Sequence, residues 1–92
     1  MSDLLVRDSF QGTIDVKLRD GHCFANCGHG KDWLTVYIIE TDYDYENQGE
    51  CQKLLKALKE FAKIKGLKFG IYCPLNNVIK HIADKLQINI YE

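Results

Sequence analysis

The stretch "YENQGECQKLL", residues 45–55, sets a glycine just ahead of an apolar helical run. Backbone N–H groups at a helix start point outward along the helix dipole, so Gly49 and the residues after it form an arrangement suited to an anion such as a pyrophosphate. Glu50 introduces a carboxylate into that first turn, and Lys53, one turn on, would partly offset it. The same residues have a structural reading. Asn47 as N-cap and Glu50 three residues later make a capping-box-like pair, which stabilises a helix by on the order of 1 kcal/mol. The two readings are not exclusive.

A second group with chemical capacity is His22, Cys23, Cys27 and His29. These are zinc-ligand types, but on a strand rising about 3.3 Å per residue Cys23 and Cys27 would stand ~13 Å apart, too far to share one ion. No metal is expected there. His81 reads as a surface or half-buried histidine on a helix face, and "GHGKD" as a hairpin turn. Cys23, Cys27, Cys51 and Cys73 form an even set, yet "MSDLLVRDSF" lacks the basic and apolar regions of a secretion signal, so they read as reduced thiols in a cytoplasmic protein.

The elements that must position these residues follow from periodicity. At 92 residues, 46% hydrophobic, 27% charged and with one proline, residues 1–92 suit a single folded domain. A formal net charge of -1 gives no reason to expect nucleic acid, and no apolar run approaches a membrane span. "GTIDVKL" alternates with Ile14, Val16 and Leu18 on one face, and Asp20-Gly21 suits the positive φ of a tight hairpin turn that returns "HCFANC" antiparallel. "WLTVYIIE" is apolar at nearly every position and is expected to be a central strand covered on both faces.

After Gly49 the period becomes helical. Cys51, Leu54, Leu55, Leu58, Phe61 and Ala62 make an apolar stripe, with Lys53, Lys56, Lys59, Glu60 and Lys63 on the solvated side and Gly66 at the C-terminal cap. "LKFGIYC" then reads as a strand parallel to the central one and stopped by Pro74. A second helix from Asn76 carries Val78, Ile79, Ile82, Ala83 and Leu86 inward, and "QINIY" closes the chain as a strand. The predicted order is β-β-β-α-β-α-β, three antiparallel strands followed by a parallel crossover in a mixed α/β (α+β) sheet.

This order, with "TDYDYENQGECQKLL" at its centre, resembles the GCN5-related N-acetyltransferase (GNAT) superfamily, in which a strand feeds a pyrophosphate-binding turn and a helix. Thr41 stands for the family's valine, Gly49 matches its glycine, and Glu46 and Cys51 replace its basic or amide residue and its small residue. Asn76 matches the asparagine at the start of the last helix, whereas Ala83 stands where a tyrosine general acid is common and Gln87 where a glycine follows. A minimal branch of about this size, without the front helices, often has a cysteine at the end of the next strand, and "FGIYCPLNN" puts Cys73 there. The resemblance covers about the last 80 residues.

The resemblance implies a protein that binds acetyl-CoA or CoA through Thr41, Gln48, Gly49, Glu50, Cys51, Gln52, Lys53 and Asn76, with the pantetheine arm where the two parallel strands splay. It implies acetyl transfer to an amine of a protein or small molecule, for which Asp42, Asp44 or Glu46 near the end of the fourth strand would serve as base through a water and Tyr72 or Cys73 would lie near the thiolate, Cys73 also near the thioester. "DYDYE" also reads as a solvated acidic turn and Cys73 as a small buried hydrophobe. The departures at Glu46, Glu50, Ala83 and Gln87 support an alternative: a catalytically inactive module of the same fold that binds a partner protein, including one encoded by a virus or mobile element. A third reading is a regulatory CoA or nucleotide sensor. The edge strand of the first hairpin would suit a homodimer formed by sheet extension.

Overall fold

The computed structural model describes residues 4–46, 48–72 and 77–91. The order is β1 (Leu4–Asp8), β2 (Thr13–Leu18), β3 (Cys23–His29), β4 (Trp33–Thr41), α1 (Glu50–Lys65), β5 (Lys68–Tyr72), α2 (Asn77–Leu86) and β6 (Asn89–Tyr91). All six strands belong to one sheet in sequence order, antiparallel from β1 to β4 and parallel across β4, β5 and β6. The α+β class and the mixed sheet are as expected, with one strand more than the sequence announced.

The additional strand is β1, paired with β2 from Leu4↔Leu18 to Asp8↔Ile14. "LLVRD" lies at the sheet edge and all but Leu4 are exposed, so no alternation of apolar and polar residues marks it. Its place is set by main-chain pairing. Between β2 and β3 the Gly21 N–H bonds the Leu18 carbonyl at 3.0 Å, and neither Asp20 nor Gly21 has the positive φ expected for a tight two-residue hairpin. Arg19 and Asp20 take the corners instead, where no left-handed residue is required.

Both helices cover the same side of the sheet. α1 packs on β2, β3, β4 and β5 and against α2, while α2 packs on β6. The core is Val16, Cys23, Ala25 and Cys27 from the first strands, Leu34 and Val36 from β4, Phe69 and Ile71 from β5, and Leu54, Leu55, Leu58, Ala62, Ile79, Ile82 and Ala83 from the helices. Val78 turns outward at 58% exposure rather than joining the inward face. Gly66 ends α1 at φ 70 and ψ 29, its N–H on the Ala62 and Lys63 carbonyls, as a left-handed glycine cap should. Lys59 leaves the solvated face and donates to the Leu86 carbonyl at the end of α2.

With two helices on one side, β4 is not covered on both faces as its composition suggested. Leu34, Thr35 and Val36 are buried, but Trp33, Tyr37 and Ile38 lie exposed on the open face with Phe24, Tyr72 and Tyr91. Thr35 is paired with Gly28 on one side and Gly70 on the other. A Cβ at Gly28 would meet the Tyr37 ring at 2.5 Å, and one at Gly70 the Tyr91 ring at 2.3 Å. The two aromatic rings therefore lie down over glycine backbone and shelter Thr35, a buried polar residue at 9% exposure. No helix among the described residues is long and apolar enough to cross a membrane.

Pairing between β3 and β4 shifts by one residue at Tyr37. Cys27 faces Val36, whereas Asn26 faces Ile38. Such a bulge reverses the facing of every later residue on its strand. Ile39 and Thr41 turn toward the helices, and Glu40, which regular alternation from Leu34 and Val36 would bury, points to the open face.

Leu58 is fully buried at the centre of α1. Leu58→Ala is expected to cost about 2–5 kcal/mol in urea denaturation, with the fold retained.

Candidate functional site

The carboxyl end of β4 and the amino end of α1 meet beside the start of β3, and most of the residues singled out from sequence gather there. Pairs between β4 and β5 run from Trp33↔Lys68 to Val36↔Ile71. β4 then continues to Thr41, so among the described residues its last part has β3 as partner and no paired residue on the β5 side. A turn of 3-10 helix, Tyr43–Tyr45, leads from β4 toward Gly49.

Gly49 is the N-cap of α1, at φ 76 and ψ 13, a left-handed conformation glycine enters at little cost. The first bond of the helix ladder runs from the Lys53 N–H to the Gly49 carbonyl at 3.0 Å. The amides of Glu50, Cys51 and Gln52 precede that ladder and present the donors of a helix start. Glu50 is thus the first helical residue rather than the third, and it does not form the capping pair; Asn47, the other member, lies outside the described residues.

The Glu50 carboxylate has a different task. Its Oε1 accepts the backbone N–H of His22 at 2.7 Å, and its Oε2 lies 4.0 Å from Lys53 Nζ. At 14% side-chain exposure it is tucked between α1 and the β2–β3 hairpin instead of facing an incoming anion. Glu50 is taken up by this long-range bond, which satisfies a main-chain N–H of the hairpin. The adjacent His22 ring stacks on Tyr45 at 3.4 Å between centroids and 10° between planes. Its Nδ1 stands 3.9 Å from Asp42 Oδ2, and the Asp42 N–H bonds the His22 carbonyl at 2.8 Å.

Beneath these contacts lies a thiol cluster. Cys23 Sγ and Cys51 Sγ are 3.3 Å apart, and Thr41 Oγ1 is 2.9 Å from Cys51 Sγ. Cys23 is directly opposite Thr41 in the β3–β4 register. The hydrogen bond from Cys23 pulls the Cys51 thiol down to about 6, with Thr41 adding to the shift and partial burial opposing it. Cys23 moves the other way, upward, because it donates to Cys51 and because it is buried. Cys27, also buried but amid apolar side chains, is pushed up to about 12, chiefly by desolvation.

Of the expected site residues, Thr41, Asp42, Glu50, Cys51 and Lys53 meet through these contacts. Gln48 donates to the Asp44 carbonyl at 3.3 Å, Gln52 is half-buried on the first turn of α1, and Glu46 is exposed after the Tyr43–Tyr45 turn. Cys73 and Asn76 lie outside the described residues. His22 and Cys23 join the site although sequence reasoning considered them only as zinc ligands. Nothing local points from them to Cys51, 28 residues away; only the hairpin register joins the two. A separate open cleft of about 550 Å³, lined by Phe10, Asn26, Gly28, His29, Trp33 and Tyr37, sits at the opposite end of β4.

Two outcomes are expected from this geometry. Glu50→Ala leaves the His22 N–H without its acceptor and should cost about 1–3 kcal/mol in chemical denaturation, while Glu50→Gln keeps an acceptor oxygen and should recover most of the loss. Alkylation of Cys51 by iodoacetamide should rise with pH around a midpoint below that of an ordinary thiol; Cys23→Ala removes the thiol donor and should move that midpoint upward.

The role of the site rests on this geometry and on the sequence pattern, for no protein-family model, no curated protein and no solved structure matches the chain.

Proposed function

We propose that this chain is a minimal GNAT-like protein that binds CoA or acetyl-CoA at the junction of β4 and α1. The observation that carries the reading is the end of β4: among the described residues it pairs with β5 as far as Val36, and past the bulge against β3 at Tyr37 it runs on to Thr41 before the chain turns into the Gly49 helix start. A strand edge with no paired neighbour among the described residues offers main-chain donors and acceptors to an extended, amide-bearing arm such as pantetheine. The amides of Glu50, Cys51 and Gln52, with the Lys53 ammonium a turn later, suit a pyrophosphate at the end of that arm. Glu50 is compatible with the anion because its carboxylate is already engaged by His22 and faces Lys53.

Acetyl transfer to an amine is the reaction this reading implies. The attacking amine must lose a proton, and Asp42 and Glu46 at the end of β4 are the carboxylates available to take it through a water. Cys73 remains the proposed thiol near the thioester. A second reading, favoured by the aromatic open face of Phe24, Trp33, Tyr37, Ile38, Tyr72 and Tyr91, is a module without catalysis that covers this face with a partner protein.

Thermal melting with millimolar acetyl-CoA, backed by calorimetric titration, separates the two. A ligand at 100 times its Kd stabilises the native state by about 2.7 kcal/mol, so a clear upward shift is expected. Gly49→Glu should abolish the shift. Its own melting point should also fall, since a side chain in the left-handed region costs about 1–2 kcal/mol. An unshifted melting curve and a flat titration with wild-type protein would overturn CoA binding and leave the partner-binding reading in its place.

A further inference from the structure

The thiol cluster holds a chemistry that CoA binding does not use. Cys23 and Cys51 come from different elements, β3 and α1, and their sulfurs are already in contact at 3.3 Å. A disulfide requires roughly 2.05 Å between them, so only a small further approach separates contact from bond. The environments of the two sulfurs are unequal. Cys51 is half-exposed on the first turn of α1, where the helix dipole and the Thr41 hydroxyl favour a thiolate. Cys23 is 2% exposed, so Cys51 is the sulfur of the pair that a reagent meets first. Cys27, equally buried on the same strand, has no sulfur or hydroxyl partner of this kind among the described residues and is the internal contrast.

We propose that Cys51 and Cys23 form a thiol–disulfide exchange site that takes a small-molecule disulfide, with Cys51 as the attacking thiol and Cys23 as the resolving one. The Cys51 thiolate attacks one sulfur of the reagent, whose S–S bond breaks; one half stays on Cys51 as a mixed disulfide and the other leaves as a thiolate that takes up a proton. Cys23 gives up its proton and attacks the Cys51 sulfur. The second half leaves as a thiol, and the Cys23–Cys51 bond ties β3 to α1. Two protein thiols are oxidised and one reagent disulfide is reduced to two thiols, so atoms and electrons balance.

The bond would fix the amino end of α1 against the hairpin that also holds Glu50. The exchange uses the two sulfurs and not the helix-start amides proposed for the pyrophosphate, so it does not require CoA. Half-exposed Cys51 followed by buried Cys23 gives the exchange an order, which a chance meeting of two core cysteines would lack.

The test incubates the folded, reduced full chain with glutathione disulfide, quenches by alkylation and maps the thiols by proteolysis and mass spectrometry. The expected product is one cross-linked species joining Cys23 to Cys51, with the loss of both from the alkylated pool and Cys27 still alkylated. Cys23→Ser should stop at a glutathione adduct on Cys51, and Cys51→Ser should leave Cys23 unmodified. A control in urea gives the pairing of the unfolded chain. Folded wild-type protein that keeps both thiols alkylatable, that stops at the adduct, or that spreads its cross-links as the unfolded chain does would overturn the proposal. The assay contains no acetyl-CoA, so its result is read separately from that of the CoA titration.

Discussion

One extra residue in β4 decides how the two ends of this molecule differ. Up to Val36 the strand alternates regularly, with Leu34 and Val36 beneath α1 and neighbours on both sides. Continued alternation would send Glu40 into the core and Ile39 to the open face. Burying an unpaired carboxylate costs far more than distorting one ladder step, and the insertion of Tyr37 reverses the facing of everything after it. Ile39 then packs against the core, and Thr41 meets Cys51. Beyond the same step no described residue of β5 pairs with β4, and it is along this stretch that the proposed ligand site lies.

The second constraint is the bond from the His22 N–H to Glu50. It fixes the amino end of α1 to the β2–β3 hairpin across 28 residues of sequence. With Glu50 directed to that hairpin, its neighbour Cys51 comes to lie against Cys23 and Thr41, in a setting that lowers one thiol and raises the other. A carboxylate that looked like an obstacle to an anion is therefore a structural tie. Both the amides of the helix start and the thiol pair take their positions from it.

The open face has its own logic. With both helices on one side, the other is covered only by its own side chains, and the sheet uses glycines in register with Thr35 to let Tyr37 and Tyr91 lie flat. Tyr37 and Tyr72 meet edge to face at 6.0 Å between centroids. Area that would otherwise be hydrated backbone is shielded by the two rings.

What the sequence determined by itself were the features written in short-range periodicity and backbone freedom: the stripe of Leu54, Leu55, Leu58 and Ala62, the cap at Gly66, the alternation around Val16, and the glycine ahead of α1. It did not mark β1, because an edge strand gains little burial and so leaves no pattern in side chains. Nor did it mark the shift at Tyr37. A hairpin continued in the register of Cys27↔Val36 would place Cys23 opposite Glu40; only the shifted register sets it opposite Thr41. The positions of Glu50, His22, Cys23 and Cys51 relative to one another were decided by tertiary structure alone. Their contacts join residues 28 apart in the chain, and energies of that range depend on how strand and helix dock, which local propensity does not encode.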